Sequence, residues 1–414
     1  MKTNKYLSIH SHTLTLNYGG SVVQNVHFNS ISLSKFVLTL CITLLIACGS
    51  NPKSNPKEKT LEESYNELIY QVKIFRFNDQ KQQVLEVVLE FLREHPSHYP
   101  ARLLYARNLV DQRNLVEAER QFKIASKAKP NEKAVLFPLA MITMQNKNYL
   151  EAKTYLNKLN RQDSQVVYYL GKIAENYQEY ELANSYYQEI KIGPYYLSAQ
   201  LRLTVILAKT KSIESALSYL NNIKTINDKE KREVLLFKGN LLRDFKYYQR
   251  AFDYYTQFLN QNKHDTELLY YRSLAAERLG KINLVIKDLS YVIEQDPNNA
   301  SALNALGYVL ADHANKLPEA LLFIERARQL EPTDAAITDS LGWIHFRMGN
   351  FQMAEKFLGE AMEQTDDPEV SAHYGEILWT LGKKKKAMQT WVSAKEKFGG
   401  NKILLETMAR LSKL

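Results

Sequence analysis

One cysteine in this 414-residue sequence stands where its thiol could be chemically modified. Cys48 follows an apolar run from Phe36 to Ala47, and Lys35 precedes that run. A run of this length is typical of the hydrophobic part of a secretory signal peptide and is too short to cross a bilayer as a helix. We therefore expect cleavage near Cys48, which would leave its thiol at or close to a new amino terminus.

The residues from Leu45 to Cys48 resemble the lipobox of bacterial lipoproteins. In that family the cysteine is acylated and becomes the first mature residue, and Gly49 in place of an Asp implies export to the outer membrane. The resemblance implies a firm lipid anchor on the periplasmic face of that membrane, since more than one acyl chain is attached. The alternative is an ordinary signal-peptidase site in which Cys48 is only a small residue. Cys41 would be removed with the signal, so we expect no disulfide.

No other residues indicate catalysis or metal binding. The sequence lacks the G-x-S-x-G, phosphate-loop, dinucleotide-binding and H-E-x-x-H motifs. Its nine His residues are scattered, and none has a second His or Cys at the spacing of metal ligands. We expect that the chain is not an enzyme and holds no metal or cofactor. Residues 1–47 contain three Lys and no acidic residue, so the rest of the chain has 51 basic and 45 acidic residues and a net charge of +6. This mild charge is weak evidence for a nucleic-acid partner.

The predicted helices, which would carry any binding residues, recur in the sequence at a short and nearly constant spacing. The most legible stretch, from Ala302 to Ala394, contains a Gly on each first helix and two Ala on each second helix. A large apolar residue stands between the two Ala, and Pro332 closes the first unit. Small residues allow two helices to cross closely, the large residue fills the remaining space, and Pro ends a helix. These residues in three units are Gly307, Ala320, Ile324 and Ala327; Gly342, Ala354, Leu358 and Ala361; and Gly375, Ala387, Trp391 and Ala394.

This pattern is identified as the tetratricopeptide repeat, a helix-turn-helix of about 34 residues. The second-helix position can be followed through ten units, from Phe91 to Ala394, at spacings close to that period. We therefore expect an all-α, right-handed solenoid of about nine to ten repeats. The expected segments are a signal region 1–47 (with 1–34 a possible upstream start and 35–47 the signal peptide), a flexible tether 48–60, a capping repeat 61–98, the array 99–400 and a closing helix 401–414.

A partner-binding groove is expected on the concave face, which the first helices line. The residue after the small step and those three or four positions to either side should point into it. Tyr, Trp and Arg among them are the types that dominate interface hot spots, although most of the 26 Tyr should only fill space between helices. The predicted groove residues are Tyr168, Lys172, Glu175, Arg202, Asn240, Arg243, Tyr270, Arg278, Asn304, Tyr308, Trp343, Phe346 and Arg347.

One charge run, Lys383 to Lys386, falls in the turn of the last full repeat. A solvated turn is the simpler interpretation, and contact with an anionic surface is the alternative.

The stretch from Ala302 to Ala394 also resembles the carboxy-terminal repeats of outer-membrane tetratricopeptide lipoproteins of proteobacteria. In that group at least one member is the adaptor of a periplasmic carboxy-terminal processing protease that degrades cell-wall hydrolases. The resemblance implies a non-catalytic adaptor whose partners are periplasmic proteins. Alternatives are a pilotin-like assembly factor for an outer-membrane machine, whose repeats usually number about six, and an enzyme, for which the sequence outside the repeats is too short.

Overall fold

The computed structural model describes residues 59–314, 316–399 and 401–411. Within these residues the chain forms 21 α-helices and no β-strand, which confirms the all-α prediction. None of these helices is both long enough and apolar enough to cross a membrane. The predicted signal region, Cys48 and nearly all of the predicted tether lie outside the described residues.

The described residues form two compact units, which meet in sequence between Gly193 and Pro194. The first unit contains α1 (Leu61–Phe77), α2 (Lys81–Glu94), α3 (Tyr99–Asp111), α4 (Leu115–Ala128), α5 (Lys133–Gln145), α6 (Tyr149–Asn157), α7 (Ser164–Asn176) and α8 (Tyr180–Glu189). The second contains α9 (Tyr196–Thr210), α10 (Ile213–Leu220), α11 (Asp228–Asp244), α12 (Tyr248–Leu259), α13 (Thr266–Arg278), α14 (Ile282–Gln295), α15 (Ala300–Asp312), α16 (Leu317–Leu330), α17 (Ala335–Arg347), α18 (Phe351–Gln364), α19 (Pro368–Thr380), α20 (Lys384–Phe398) and α21 (Lys402–Leu411).

Each odd-numbered helix from α1 to α19 packs against the even-numbered helix that follows it, so the described residues contain ten helical hairpins and a closing helix. Several first helices begin at an Asp or Asn whose side chain accepts a hydrogen bond from a backbone N–H of the first turn. Asn299 accepts from Ala302 at 3.0 Å, and Asp334 accepts from Ile337 at 2.9 Å. Such caps satisfy N–H groups that have no partner inside the helix.

Most turns inside a hairpin place one residue at positive φ. Gly349, with φ of 78°, is an example, and the N–H of Asn350 then bonds back to the carbonyl of His345 at 2.9 Å. This left-handed residue lets the chain reverse direction within a few residues, and it suits glycine because other residues are strained there. Five turns nevertheless use other residues, namely Asp79, Arg113, Lys147, Gln178 and Lys246.

The close crossing of the two helices in a repeat is confirmed. A Cβ atom added at Gly342 would lie 2.6 Å from Cγ of Leu358, and one added at Gly375 would lie 1.9 Å from Nε1 of Trp391. Leu358 and Trp391 are themselves fully buried. The Gly on the first helix is therefore the space into which the large residue of the second helix fits.

Three second helices are shorter than the repeat pattern suggests: α6, α8 and α10 have 9, 10 and 8 residues, whereas α2 and α4 have 14. The residues after them include Asn160, Asn221 and the pair Gly193-Pro194, which favour turns over helix. Leu159 and Ile190 are still buried, although they lie just beyond the helix ends. The apolar positions thus keep their spacing along the sequence, although the helix ends before it reaches them.

Candidate binding surface on the first helices

The first helices α13, α15, α17 and α19 of the second unit carry the richest set of polar and aromatic side chains. On α15, Asn304, Tyr308 and Asp312 follow one another at four-residue spacing, which places them on one face of the helix. Asp339, Trp343 and Arg347 repeat that arrangement on α17. Residues of equal register on successive repeats lie opposite one another, so these side chains form rows across the repeats.

Charged pairs connect the ends of these helices. Nη1 of Arg347 donates to Oδ1 of Asp312 at 2.9 Å. Arg278 lies beside Glu277, with 3.1 Å between Nε and Oε2, and its Nη2 lies 3.8 Å from Oε2 of Glu369. The predicted groove residues Arg278 and Arg347 therefore have partners within the chain, and a bound protein would have to compete with those partners.

Glu369, at the start of α19, reaches residues of two earlier repeats. Besides Arg278 it contacts Tyr308, whose hydroxyl donates to Oε1 of Glu369 at 3.4 Å. Burial raises the pKa of the Glu369 carboxyl, although His373 and Arg278 oppose that change. Burial, followed by the charge of Glu369, also raises the pKa of Tyr308, so its hydroxyl stays neutral and can donate.

A buried ion pair lies beside this contact. Nδ1 of His373 is 2.9 Å from Oδ2 of Asp339, and the two side chains are 6% and 9% exposed. Burial alone would lower the pKa of His373, but Asp339, through its charge and its hydrogen bond, raises it to about 9. The imidazole is therefore positively charged at neutral pH. The ring of Trp343 stacks on it, with centroids 4.2 Å apart and an interplanar angle of 19°.

Two predicted groove residues on these helices have buried polar atoms without a hydrogen-bond partner among the described residues: Oδ1 of Asn304 and Nε1 of Trp343. Such atoms are uncommon because leaving them unpaired is costly. The Trp343 ring also stacks on Phe346 at 5.1 Å between centroids. An acceptor for the indole N–H and a donor for the Asn304 carbonyl are what a bound polypeptide backbone supplies.

The predicted groove residues of the first unit have mainly packing partners. Glu175 is buried and accepts a hydrogen bond from the hydroxyl of Tyr187 at 3.2 Å. Tyr168 packs against the rings of Tyr169 and Tyr187, and Nζ of Lys172 lies 5.9 Å from the Tyr169 ring centroid. Their role in binding stays a prediction.

The remaining predicted residues lie on α9, α11 and α13 of the second unit. Arg202 and Tyr270 are partly buried. Asn240 accepts a hydrogen bond from Tyr255 at 3.1 Å, and Arg243 pairs with Asp244 at 3.2 Å while its Nη1 has no partner among the described residues. Asn240 therefore stabilises its own hairpin, because Tyr255 is the large residue that fills the space beside Gly239.

Sequence reasoning did not single out Asp339, Glu369 or His373. A signal was present, because Asp339 and His373 are 34 residues apart, which is one repeat. Opposite charges one period apart on first helices therefore predict cross-repeat pairs. The contact from Glu369 to Tyr308 spans 61 residues and has no such signal.

The run from Lys383 to Lys386 is exposed, yet it has partners in the chain. Nζ of Lys383 donates to Glu355 at 2.6 Å, and Nζ of Lys386 donates to the hydroxyl of Tyr374 at 2.9 Å. Nζ of Lys384 lies 4.9 Å from the ring centroid of Trp379. Across the part of the chain that the structure describes, no group of three or more His, Cys, Asp or Glu side chains could hold a metal ion.

The family model for the tetratricopeptide repeat matches residues 286–335. This match lies within the ten hairpins whose Gly and large apolar residues interlock as described above. The chain therefore contains tetratricopeptide repeats in this region. Such repeats serve chiefly as scaffolds for protein–protein interaction, on the extended surfaces that stacked hairpins create.

This chain is similar over half of its length to a curated protein. It is 36% identical over 207 residues to a TPR repeat-containing protein of Pseudomonas aeruginosa, a match that covers 50% of this chain and 35% of the relative. The chain thus spans about a third of the length of that curated relative.

Solved structures with some similarity include a thermophilic TPR protein of Thermus thermophilus (21% identity, 44% of this chain and 97% of that chain, TM-score 0.38). A tetratricopeptide repeat protein of Parabacteroides merdae has 18% identity over 76% of this chain and 99% of that chain, with a TM-score of 0.40. These TM-scores are too low to transfer structural detail to the present protein.

Proposed function

We propose that this protein is a non-catalytic scaffold, anchored to the periplasmic face of the outer membrane through acylated Cys48. It binds periplasmic proteins along its first helices and presents substrates, such as cell-wall hydrolases, to a processing protease. The lipobox-like residues before Cys48 and the resemblance of the carboxy-terminal repeats to adaptor lipoproteins support the anchor and the adaptor role. The similarity to a TPR repeat-containing protein supports the scaffold in the general sense.

The observation that carries the proposal is the set of side chains on α15 and α17. It combines the aromatic rings of Tyr308, Trp343 and Phe346 with Arg347, and these are residue types that contribute strongly to protein interfaces. The unpaired Oδ1 of Asn304 is an acceptor, and the unpaired Nε1 of Trp343 is a donor. These groups are distributed over several helices rather than around one deep cavity, which favours a polypeptide over a small molecule.

A double variant, Trp343→Ala with Arg347→Ala, tests the surface. We expect capture of the partner protease from solubilised envelopes to fall by about tenfold or more, since truncating hot-spot residues typically costs more than about 1 kcal/mol each. Leu322→Ala with Lys356→Ala is the matched control, because both side chains are exposed and lie on second helices. Circular dichroism should show equal helicity for all three proteins.

If the double variant captures the protease as well as the wild-type protein does, the binding surface lies elsewhere. A second measurement addresses the adaptor role itself: the purified protein should accelerate cleavage of a cell-wall hydrolase by the protease that co-purifies with it. If the hydrolase is cleaved at the same rate with and without the protein, the adaptor proposal is wrong. Co-purification of a secretin in place of a protease would favour the pilotin-like alternative.

Acylation is tested separately. Metabolic labelling with a fatty acid should mark the wild-type protein and fail to mark Cys48→Ala. Label on the Cys48→Ala protein would exclude this residue as the anchor.

A further inference from the structure

The first helix of the described chain is apolar on two faces. Leu68 and Val72 are buried on one face. On another, Tyr70, Ile74 and Phe77 follow at spacings of four and three residues and are 66%, 41% and 92% exposed. A helix with apolar side chains on two opposite faces normally packs against other atoms on both faces. The outer face of α1 therefore indicates a contact with something other than the described residues.

The exposed apolar residues continue along one edge of the first unit. The hairpins α1–α2, α3–α4 and α5–α6 are stacked in order, so their internal turns lie along the same edge. Phe77 ends α1 just before the first turn, and Val116 and Leu150 are the second residues of the helices after the next two turns. Val116 is 84% exposed and Leu150 is 71% exposed. We call Tyr70, Ile74, Phe77, Val116 and Leu150 the amino-terminal apolar edge.

Cations accompany this edge. Lys73 is exposed on α1, and Arg113, which is also exposed, occupies the positive-φ position of the second turn.

Several carboxylates nearby are already paired with other cations. Asp79 lies 3.4 Å from Lys81, Glu117 lies 2.6 Å from Arg120, and Glu119 and Glu151 lie 2.6 Å and 3.2 Å from the same Lys123. The edge therefore presents apolar side chains together with the exposed cations Lys73 and Arg113.

We propose that the amino-terminal apolar edge lies on a bilayer surface that contains anionic phospholipid. Aromatic and aliphatic side chains enter the boundary between headgroups and acyl chains, while Lys and Arg attract anionic headgroups. A second copy of this chain fits less well, because a symmetric contact would bring the same cations face to face.

The position of the anchor supports a bilayer as the occupant. Leu61 lies 13 residues after Cys48, and a segment of that length spans at most about 45 Å when fully extended. Acylation of Cys48, which belongs to the proposed function, would hold α1 within that distance of the membrane. The edge itself should bind without the anchor, so the two proposals can be tested separately.

The test uses the mature chain without residues 1–47 and with Cys48→Ser, so that neither the signal nor an acyl chain contributes. This protein should sediment with vesicles of phosphatidylethanolamine and phosphatidylglycerol. It should bind vesicles of phosphatidylcholine alone more weakly, and added salt should weaken binding to the anionic vesicles. A triple variant, Phe77→Ser with Val116→Ser and Leu150→Ser, should lose about tenfold or more of the binding.

Ile226→Ser with Leu322→Ser is the control, because these side chains are 85% and 69% exposed but belong to the second unit. The control should bind like the parent, and helicity should be the same in all variants since every altered side chain is exposed. The proposal is wrong if the triple variant binds the anionic vesicles as well as the parent does. It is also wrong if the parent binds neither kind of vesicle. Sedimentation velocity tests for self-association. If the parent forms a dimer that the triple substitution abolishes, and the parent does not bind vesicles, the edge is a self-association surface and the proposal is wrong.

Discussion

His373 shows how much a single side chain depends on its repeat neighbours. It is 5% exposed, and a charged imidazole at that depth is stable only because Asp339 on the adjacent first helix compensates it. Trp343 covers the imidazole from one side. Replacing either member of the pair would leave an uncompensated polar or charged group in the core between α17 and α19.

The pair makes stability depend on pH in the mildly alkaline range. The pKa of His373 is raised from 6.5 to about 9 in the folded protein, so its contribution to stability is complete below pH 6.5 and is lost as pH rises towards 9. The contribution is about 3 kcal/mol at most. We expect the difference in unfolding free energy between wild type and His373→Gln to shrink between pH 6.5 and 9, as measured by urea unfolding. A difference that stays constant or grows with pH would contradict this assignment.

At the scale of the helical hairpin, glycines at two positions should respond in opposite ways to the same change. A Cβ at Gly342 would lie 2.6 Å from Cγ and 2.9 Å from the backbone N of Leu358, whereas a Cβ at Gly359 would meet nothing closer than 3.6 Å. Gly342→Ala should therefore destabilise the protein by about 1–3 kcal/mol. Gly359→Ala should stabilise α18 by about 0.5–1 kcal/mol, because alanine favours helix.

Thermal unfolding followed by circular dichroism distinguishes the two variants. The melting temperature should fall for Gly342→Ala and rise slightly for Gly359→Ala. Equal melting temperatures for Gly342→Ala and the wild type would mean that α17 and α18 do not cross as closely as described.

The hairpins were predictable because their defining residues are local and periodic. Gly307, Gly342 and Gly375 with their large partners mark the crossings directly in the sequence. The turns were less visible, because five positive-φ positions carry residues such as Arg113 and Lys147 in place of glycine. The short α10 was not predicted either, since apolar spacing continues through Ile223 after the helix has ended at Leu220.

The arrangement of the candidate binding surface was predictable only in part. Helical register correctly grouped Tyr308, Trp343 and Arg347 on neighbouring first helices, but it gave no information on their partners. Asp312 pairs with Arg347 and Asp339 pairs with His373, and both pairs could have been found by comparing positions one repeat apart. Glu369 could not, because its contacts with Arg278 and Tyr308 depend on how successive repeats rotate.

At the scale of the molecule, the second unit has cores of its own. Buried side chains run from Val205 to Ile344 in one cluster, and from Ala372 to Leu411 in another. A fragment of residues 194–414 should therefore fold alone and show the helical circular dichroism spectrum of its share of the chain. If the proposed binding surface is correct, the fragment should also capture the partner that Trp343→Ala with Arg347→Ala loses. A fragment without helical signal would show that the second unit requires residues before 194.

The charged pairs between neighbouring repeats have a consequence for the order of those repeats. Arg347 is matched to Asp312, His373 to Asp339 and Arg410 to Glu376, each about one period away. Suppose that recombination removed one repeat, so that α15 adjoined α19. The apolar faces would still fit. Asn304 would then lie opposite His373 and Asp312 opposite Leu381, so neither the imidazole of His373 nor the carboxylate of Asp312 would have a partner of opposite charge. Repeats that are interchangeable in their apolar contacts are thus distinguished by their charges, and these charges specify which repeat follows which.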